Sequence, residues 1–394
     1  MPKSADKTLL DMNGRSQEQP VRENRARHIP TLDGWRAFAI LLVLAHHAGT
    51  AFYSENEYYA VSPTRFGVWG VPVFFALSGL LITKLLLEEF DRQGRISLKS
   101  FYIRRAFRIL PPATLYVLTL AALGLLVSRR EMAGALFFFR NYVPDSLGGL
   151  YTTHFWSLAV EEHFYLIWPG LLLLVGVRRG LRTAAIISVA LALWMSVDFH
   201  FHVMARLLPS ANVPERTDLR LDGLFCGCSM AFLLNRQGAR DWLRRHFTWW
   251  IWGIAAAAIF ACMRYQPYLA TFWIDILIPL LMVGTVLHPA WAISRLLEIG
   301  AVKWVGRVSY SVYIWQQLFL IPAWYPKRFP LLQQWPLDIV LVFGVATVSY
   351  YVVEKPLIRL GHKLAGRVGR SDARSEIPQR PAAAPEESAA TIRA

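Results

Sequence analysis

Apolar stretches close to the length of a membrane crossing recur along the whole chain, and short polar segments separate them. A helix needs about 20 apolar residues to cross a hydrocarbon core of about 30 Å. The pattern therefore predicts an all-α, polytopic membrane protein with about ten transmembrane helices. The ten apolar stretches are residues 37–54, 66–87, 109–128, 155–176, 183–199, 221–234, 248–263, 272–289, 308–325 and 334–353.

The positions of the positive charges predict which side of the membrane each polar segment faces. If the N-terminus lies inside, 32 of the 42 Lys and Arg residues fall in inside segments and 10 fall in outside segments. Cytoplasmic loops carry an excess of Lys and Arg. We therefore expect both termini to be cytoplasmic, in a multi-pass protein of the cell inner (plasma) membrane.

The two ends of the chain differ from its middle in composition. The first residues are polar and charged without an apolar run, and the last residues are rich in Ala, Pro, Glu and Ser. Segments of this kind bury too little apolar surface to fold. We expect residues 1–28 to be a disordered cytoplasmic tail, residues 29–360 to form the membrane domain, and residues 361–394 to be a basic and then disordered cytoplasmic tail.

The composition excludes several other classes of protein. Charged residues make up 18% of the chain, whereas soluble domains usually contain about a quarter. The net charge of +15 is typical of nucleic-acid binding, but its sorting to one side of a membrane accounts for it, so we expect no nucleic-acid partner. The 3 Cys residues are too few for a disulfide framework.

Three ionisable side chains share one face of the helix that begins near Leu32 and continues into the first predicted span, and such groups are costly inside a membrane and therefore indicate function. They are Asp33, Arg36 and His47. At about 100° per residue, Arg36 and His47 lie within about 20° of one helix face and about 16 Å apart. Asp33 is within ion-pair reach of Arg36. The simpler alternative is an anchor, in which Asp33 caps the helix, Arg36 meets lipid phosphate and His47 bonds to a neighbouring helix.

The fourth predicted span also opens with polar residues. Ser157, Glu161 and Tyr165 are spaced by four and therefore share a helix face. Because consecutive side chains point apart, either Glu161 or Glu162 must face protein or water, where a buried carboxyl group can exchange protons. The alternative is a hydrogen-bonded network that packs the helices. The Glu-Glu-His run that ends at His163 lacks the spacing of zinc ligands, so we expect no metal site.

A group of arginines precedes the third predicted span. Arg104 and Arg105 each share a helix face with Arg108. Guanidinium groups bind phosphate through paired N–H donors, so the patch is a candidate phosphate-binding site at the cytoplasmic surface. Anchoring by the positive-inside bias and by anionic lipid explains the same residues equally well.

Seven short motifs follow one another between about residue 29 and residue 360. They are Leu32–Ala39, Gly70–Gly79, Phe101–Pro111, Phe155–Pro169, Asp218–Gly223, Gly306–Trp315 and Ser349–Pro356. The first contains Arg36, which ten residues separate from His47. In this order the motifs resemble the acyltransferase 3 family of integral membrane acyltransferases.

The resemblance implies a ten-helix domain that takes an acyl group, commonly acetyl, from acyl-CoA on the cytoplasmic side. The acceptor would be a hydroxyl group of a glycan, a glycolipid or another small hydroxylated metabolite. Acyl-CoA would be a donor substrate, so no permanently bound cofactor is implied. The remaining expected partner is membrane lipid.

The resemblance also implies roles for individual residues. His47 is similar to the family's essential histidine, Arg36 to its partner, and Arg105 with Arg108 to the family's Arg-x-x-Arg pair. Many relatives have His after Trp in the ninth span, but this chain has Gln316 there. We therefore expect no equivalent role at that position, and His47 becomes the stronger candidate for the base.

These residues suggest a mechanism. Arg105, Arg108 and Arg36, with Arg104 beside them, would hold the phosphates of CoA. The pantetheine arm of CoA would then extend toward His47. A neutral histidine can accept the proton of an attacking hydroxyl group, or it can carry the acyl group transiently. Ser157 and Glu161 would orient the substrate or relay protons.

Two other functions are compatible with the same residues. A proton-coupled transporter would use His47 and Glu161 as a proton relay, but it would not need the arginine patch for CoA. A structural or assembly protein of the membrane is the second alternative. The ordered motifs favour the enzyme over both.

Overall fold

The computed structural model describes residues 29–144, 149–207, 215–265 and 270–375, and regular structure within these ranges is entirely helical. The α-helices are α1 (Pro30–Phe52), α2 (Glu55–Val61), α3 (Gly70–Gln93), α4 (Leu98–Ala122), α5 (Arg129–Leu136), α6 (Phe155–Val175), α7 (Gly180–Phe201), α8 (Val203–Leu207), α9 (Asp222–Asn235), α10 (Gln237–His246), α11 (Trp249–Tyr265), α12 (Ala270–Leu287), α13 (Ala292–Leu297), α14 (Gly300–Phe319), α15 (Leu337–Ser349) and α16 (Lys355–Ser375). Short 3-10 helices cover Pro63–Trp69, Arg140–Tyr142, Leu150–Thr152, Val177–Arg179 and Thr217–Leu219, and a π-helical turn, Tyr350–Glu354, joins α15 to α16.

The two predicted tails fall largely beyond these ranges. The tail expected for residues 1–28 lies outside the described residues, and so does the part of the C-terminal tail after Ser375. Residues 361–375 continue α16.

The helices confirm an all-α chain with several membrane-spanning candidates. Each of the ten predicted spans overlaps one helix, namely α1, α3, α4, α6, α7, α9, α11, α12, α14 or α15. By length and composition, 6 described helices can cross a membrane, or up to 7 if α10 and α11, which meet at an angle of 86°, form one span. The count of ten and the side of each loop stay predictions.

The surface of these helices also suits a lipid environment. Large apolar side chains point away from the interior on α6, α7 and α15, and Leu174, Ile186 and Val340 are among the most exposed of them. An apolar exterior of this extent marks contact with a membrane or another protein.

Packing is centred on α1 and α3. One buried apolar cluster joins them to α4, α6 and α14 and includes Ile40 and Phe75. A second joins them to α12 and includes Trp35 and Leu77. Side chains that point between α1, α3, α4, α6 and α14 therefore meet in the interior.

The turn between α3 and α4 fixes the position of the arginine patch. Helix α3 ends at Gly94, whose φ of 69° is left-handed, a conformation that glycine adopts readily. Helix α4 begins after Ser97, whose hydroxyl accepts a hydrogen bond from the Ser100 N–H. Glu89 accepts a 2.8 Å hydrogen bond from the Ser97 N–H. The end of α3 therefore sets where α4 starts, and with it the direction of the arginines about two and three turns later.

A close approach of two backbones holds α1 against α14. A methyl group at Gly306 would lie 1.9 Å from the carbonyl oxygen of Asp33. Small residues at helix contacts allow this kind of packing in membranes. The contact brings the stretch of α1 that carries Arg36 next to the part of α14 that carries Ser309 and Tyr313.

Gly306→Ala is expected to destabilise the protein, because the new methyl group must push α1 and α14 apart. Overpacking of this kind costs about 1–3 kcal/mol. The thermal unfolding midpoint of the purified protein in detergent measures the effect. Gly344→Ala is the matched control, because nothing lies within 4 Å of the added methyl group and alanine is a better helix former. An unchanged midpoint in Gly306→Ala would contradict the close approach.

Candidate active site

Two adjacent cavities in the helical bundle contain most of the polar side chains that the sequence singled out. The first, here called the arginine cavity, encloses about 80 Å³ and has six polar or charged residues of interest in its lining: Arg36, Arg105, Arg108, Glu161, Glu162 and Tyr165. The second, here called the histidine cavity, encloses about 470 Å³ and is lined in part by His47, His154, Trp156, Arg220, Asp222 and Asp275.

The two cavities meet at three side chains, here called the wall. They are Val71, Phe75 and Tyr313, which line both cavities. Tyr313 is the one member of the wall with a polar side chain, and its hydroxyl group can donate a proton.

Helix α1 contributes to both cavities. Arg36 lines the arginine cavity, and His47 lines the histidine cavity. The sequence predicted that the two residues share a helix face, and the structure divides that face between two spaces. Nη1 of Arg36 lies 3.7 Å from Oδ1 of Asp33, which confirms the predicted ion pair.

The imidazole ring of His47 is available to a substrate. Its backbone carbonyl accepts a 2.8 Å hydrogen bond from the Thr50 hydroxyl, but within the described residues no hydrogen bond to its ring is made. The neighbouring His46 has a different role, because its Nδ1 bonds to the Tyr58 hydroxyl. The ring centroids of His46 and His47 are 5.0 Å apart, edge to face. Both histidines line the histidine cavity, but of the two rings that of His46 is held by a hydrogen bond and that of His47 is not, within the described residues.

Helix α6 places Ser157, Glu161 and Tyr165 in the arginine cavity, as their spacing predicted. Oε1 of Glu161 accepts a 3.0 Å hydrogen bond from Ser78 of α3. The Tyr165 hydroxyl lies 2.9 Å from the Ser78 hydroxyl and 3.1 Å from Oε2 of Glu161. Glu162 lines the same cavity. The carboxyl group of Glu161 is thus fixed in orientation by two neighbours.

Ser157 belongs to a chain of hydroxyl groups that leads to the wall. Its Oγ lies 2.5 Å from the Tyr313 hydroxyl, and that hydroxyl donates a 2.9 Å hydrogen bond to the His154 carbonyl. Nε2 of His154 lies 3.1 Å from the Ile314 carbonyl oxygen. The chain connects a residue of the arginine cavity to a residue of the histidine cavity.

The three arginines of α4 have different surroundings. Arg105 and Arg108 line the arginine cavity, and the Arg105 guanidinium lies 4.6 Å from the centroid of the Tyr165 ring. Arg104 does not line it, and instead forms a 3.0 Å salt bridge with Glu89. The structure therefore groups Arg36 with Arg105 and Arg108 as candidate anion ligands, and it assigns Arg104 to the junction of α3 and α4.

Several residues of the two cavities were missed at the level of sequence. Asp275 lines the histidine cavity from α12, and it carries the signal that could have found it, an ionisable residue within a predicted span. Tyr313 lies within a motif, but nothing in a sequence shows that its hydroxyl group stands between two cavities. In the described part of the chain no group of three His, Cys, Asp or Glu residues is arranged to hold a metal ion.

Comparison with known proteins shows which family the chain matches. A family model described as an acyltransferase domain matches residues 29–354. The peptidoglycan O-acetyltransferase OatA of Listeria monocytogenes is 27% identical over 377 residues, which cover 85% of this chain and 56% of that protein. The O-acetyltransferase OatA of Staphylococcus aureus is 26% identical over 367 residues, which cover 86% of this chain and 58% of that protein.

The matched region covers most of this chain but only part of its relatives. The chain spans little more than half the length of these curated proteins. No solved structure is significantly similar to it.

Proposed function

Because the chain belongs to the acyltransferase 3 family, we propose that it is a membrane O-acetyltransferase, which moves an acetyl group from acetyl-CoA to a hydroxyl group of a glycan or glycolipid. The observation that carries the proposal is the pair of adjacent cavities, one lined by three arginines and the other by His47, which share three lining side chains. The relatives reported above are named for O-acetyl transfer, and one of them for peptidoglycan, which favours a glycan acceptor.

The charge of the arginine cavity supports donor binding there. CoA carries several phosphate charges, and Arg36, Arg105 and Arg108 supply guanidinium groups that suit phosphate. Pockets that enclose a whole drug-sized ligand measure about 300–1,000 Å³, whereas this cavity encloses about 80 Å³. We infer that the cavity takes only part of CoA: its three arginines bind phosphate groups, and the narrow acetylated arm extends from them toward His47.

The reaction needs a base and a path for one proton. The acceptor oxygen attacks the thioester carbon, a C–O bond forms, and the C–S bond breaks. His47 accepts the proton of the attacking hydroxyl group, and that proton returns to the sulfur of CoA. The balance is acetyl-CoA plus alcohol giving acetyl ester plus CoA thiol.

Neighbouring groups would position these reactants. The bonded hydroxyl groups of Ser157 and Tyr313 lie where the two cavities meet, and would position the reactants there. Glu161, held by Ser78 and Tyr165, stands beside the arginines and keeps them oriented. In this scheme Arg36 has support from Asp33, so its guanidinium is fixed on the donor side.

The proposal includes an orientation in the inner membrane. Ten spans with both termini in the cytoplasm put the turn between α3 and α4, and with it the mouth of the arginine cavity, on the side where acetyl-CoA is made. The excess of Lys and Arg in the inside segments supports this orientation.

Single cysteines are expected to report this orientation. In a protein whose Cys262 is replaced by alanine, Arg129→Cys should react with a membrane-impermeant maleimide in intact cells, and Gly238→Cys should react only after the membrane is opened. Cys226 and Cys228 are buried and contribute little background. Labelling of Gly238→Cys in intact cells would contradict the proposed order of spans.

The transporter that the sequence left open has no support from the comparisons, since the relatives are named as acetyltransferases. The two functions differ in one measurement. An acetyltransferase consumes labelled acetyl-CoA and leaves a labelled ester in the glycan fraction, whereas a transporter moves its substrate unchanged.

The proposed function is tested in cells and with purified protein. Mass spectrometry of surface glycans and extractable glycolipids, from cells with and without this chain, should find a species heavier by one acetyl group only when the chain is present. The purified protein in lipid nanodiscs should transfer label from acetyl-CoA to the same species. Identical glycan masses in both strains would contradict the proposal.

A further inference from the structure

The histidine cavity differs from the arginine cavity in size and in charge. Its volume of about 470 Å³ lies within the range of pockets that enclose a whole small ligand. Three carboxylic acids, Glu215, Asp222 and Asp275, line it together with one arginine, Arg220. A phosphate-bearing ligand such as CoA is disfavoured there, whereas a neutral ligand with many hydroxyl groups finds several acceptors.

Two of these acids form a buried pair. Asp222 opens α9, Asp275 projects from α12, and each is only 3% exposed. Their carboxyl groups are close enough to interact electrostatically. Between them, Gly223 leaves the space that the second carboxyl group occupies, since a methyl group there would lie 2.9 Å from Oδ1 of Asp275. Arg220 interacts electrostatically with both acids.

Two buried polar atoms of the lining have no partner within the described part of the chain. They are Oδ2 of Asp222 and Nδ1 of His154, and both residues are 3% exposed. Buried polar atoms in folded proteins nearly always have a hydrogen-bond partner, so each exception requires an explanation. A ligand hydroxyl group in the cavity would satisfy either atom.

Aromatic faces complete the cavity. Trp69 and Trp156 line it, and the guanidinium of Arg220 lies 5.6 Å from the centroid of the Trp156 ring. The face of a sugar ring presents C–H groups, which pack against an indole ring, while its hydroxyl groups point outward to polar partners. Carboxylates, a histidine and tryptophans around one space are therefore complementary to a saccharide.

We propose that the histidine cavity is the acceptor chamber and that it takes one neutral saccharide unit. Asp222 and Asp275 accept hydrogen bonds from its hydroxyl groups, and Trp156 packs against its ring. This inference rests on the proposed function and deepens it, because it names the acceptor site and the residues that select the acceptor.

The test measures saccharide binding without the donor. The full chain in nanodiscs is titrated with N,N′-diacetylchitobiose, an uncharged disaccharide, and binding is followed by saturation-transfer difference NMR. Asp222→Asn, Asp275→Asn and Trp156→Leu should each weaken binding by about tenfold or more. The matched control is Glu354→Gln, which changes an equally buried acid that bonds to Ser311 and lines neither cavity.

Folding and function are controlled on the same samples. Each variant is compared at a thermal midpoint close to that of the parent, and Trp156→Phe replaces Trp156→Leu if the latter does not fold. Acetyl-CoA binding to the same variants should be unchanged, because their side chains lie outside the arginine cavity.

The outcomes separate the two proposals. If the parent does not bind the disaccharide, or if the three variants bind it like the parent, the acceptor chamber is wrong, whether or not acetyl transfer is found. If saccharide binding follows the expected pattern but the parent neither binds nor consumes acetyl-CoA, the proposed function is wrong and the saccharide site stands.

Discussion

His47→Ala is expected to lower acetyl transfer by about 10²–10⁴-fold at equal abundance, which is the usual loss when a general base is removed. The ring lines the histidine cavity and makes no hydrogen bond within the described residues, so its removal breaks no hydrogen bond among them and loses the edge-to-face contact with His46. The thermal midpoint should therefore stay near that of the parent. Transfer of labelled acetyl from acetyl-CoA, at matched protein amounts in nanodiscs, measures the effect.

His46→Ala is the neighbouring control, and its expected pattern is the reverse. His46 bonds to the Tyr58 hydroxyl and connects α1 to α2, so its loss should lower the thermal midpoint. Its cost in activity per folded molecule should be much smaller than that of His47→Ala. Near-normal transfer by His47→Ala would remove His47 from the mechanism and make Glu161 the next candidate for the base.

A second measurement distinguishes a base from a carrier. If His47 carried the acetyl group, the protein alone would release CoA once per molecule when mixed with acetyl-CoA, before any acceptor is present. If His47 acts as a base, CoA release requires the acceptor. The proposed mechanism predicts no release of CoA without acceptor.

Much of the fold could be predicted from the sequence because it depends on local patterns. Each of the ten apolar stretches overlaps a helix, and 6 or 7 of the described helices are long and apolar enough to cross a membrane, where helices satisfy their own backbone hydrogen bonds. Ser157, Glu161 and Tyr165 are spaced by four, and helix geometry places residues with that spacing on one face. All three line the arginine cavity. The pairing of Asp33 with Arg36 follows from the same rule.

The remainder depends on which helices are neighbours, and a sequence does not give that directly. Arg104 looked equivalent to Arg105 and Arg108, yet the end of α3 supplies Glu89 as its partner and removes it from the cavity. The face shared by Arg36 and His47 looked continuous, but Phe75 and Tyr313 from other helices divide it. The sequence marks Asp275 as an ionisable residue in a span, but its position beside Asp222 depends on the packing of α12 against α9.

The double variant Arg105→Ala, Arg108→Ala is expected to raise the apparent KM for acetyl-CoA by about two orders of magnitude. Each charge-assisted hydrogen bond is worth about 1.5–3 kcal/mol, and both guanidinium groups line the arginine cavity. The loss should appear mainly in KM, because phosphates distant from the thioester are bound equally in the ground state and the transition state. Kinetics at varied acetyl-CoA, together with direct binding of CoA, measure it.

Arg104→Ala separates donor binding from anchoring. All three arginines of α4 would serve an anchor to anionic lipid, but only Arg105 and Arg108 line the cavity, whereas Arg104 pairs with Glu89. Donor binding therefore predicts a normal KM for Arg104→Ala at matched abundance, and an anchor predicts similar losses of membrane abundance for all three.

Arg108→Lys should recover only part of the affinity, because lysine keeps the charge but lacks the two-pronged fit to phosphate. If the double variant binds CoA like the parent and loses only abundance, the arginines of α4 are an anchor, and the donor must bind elsewhere.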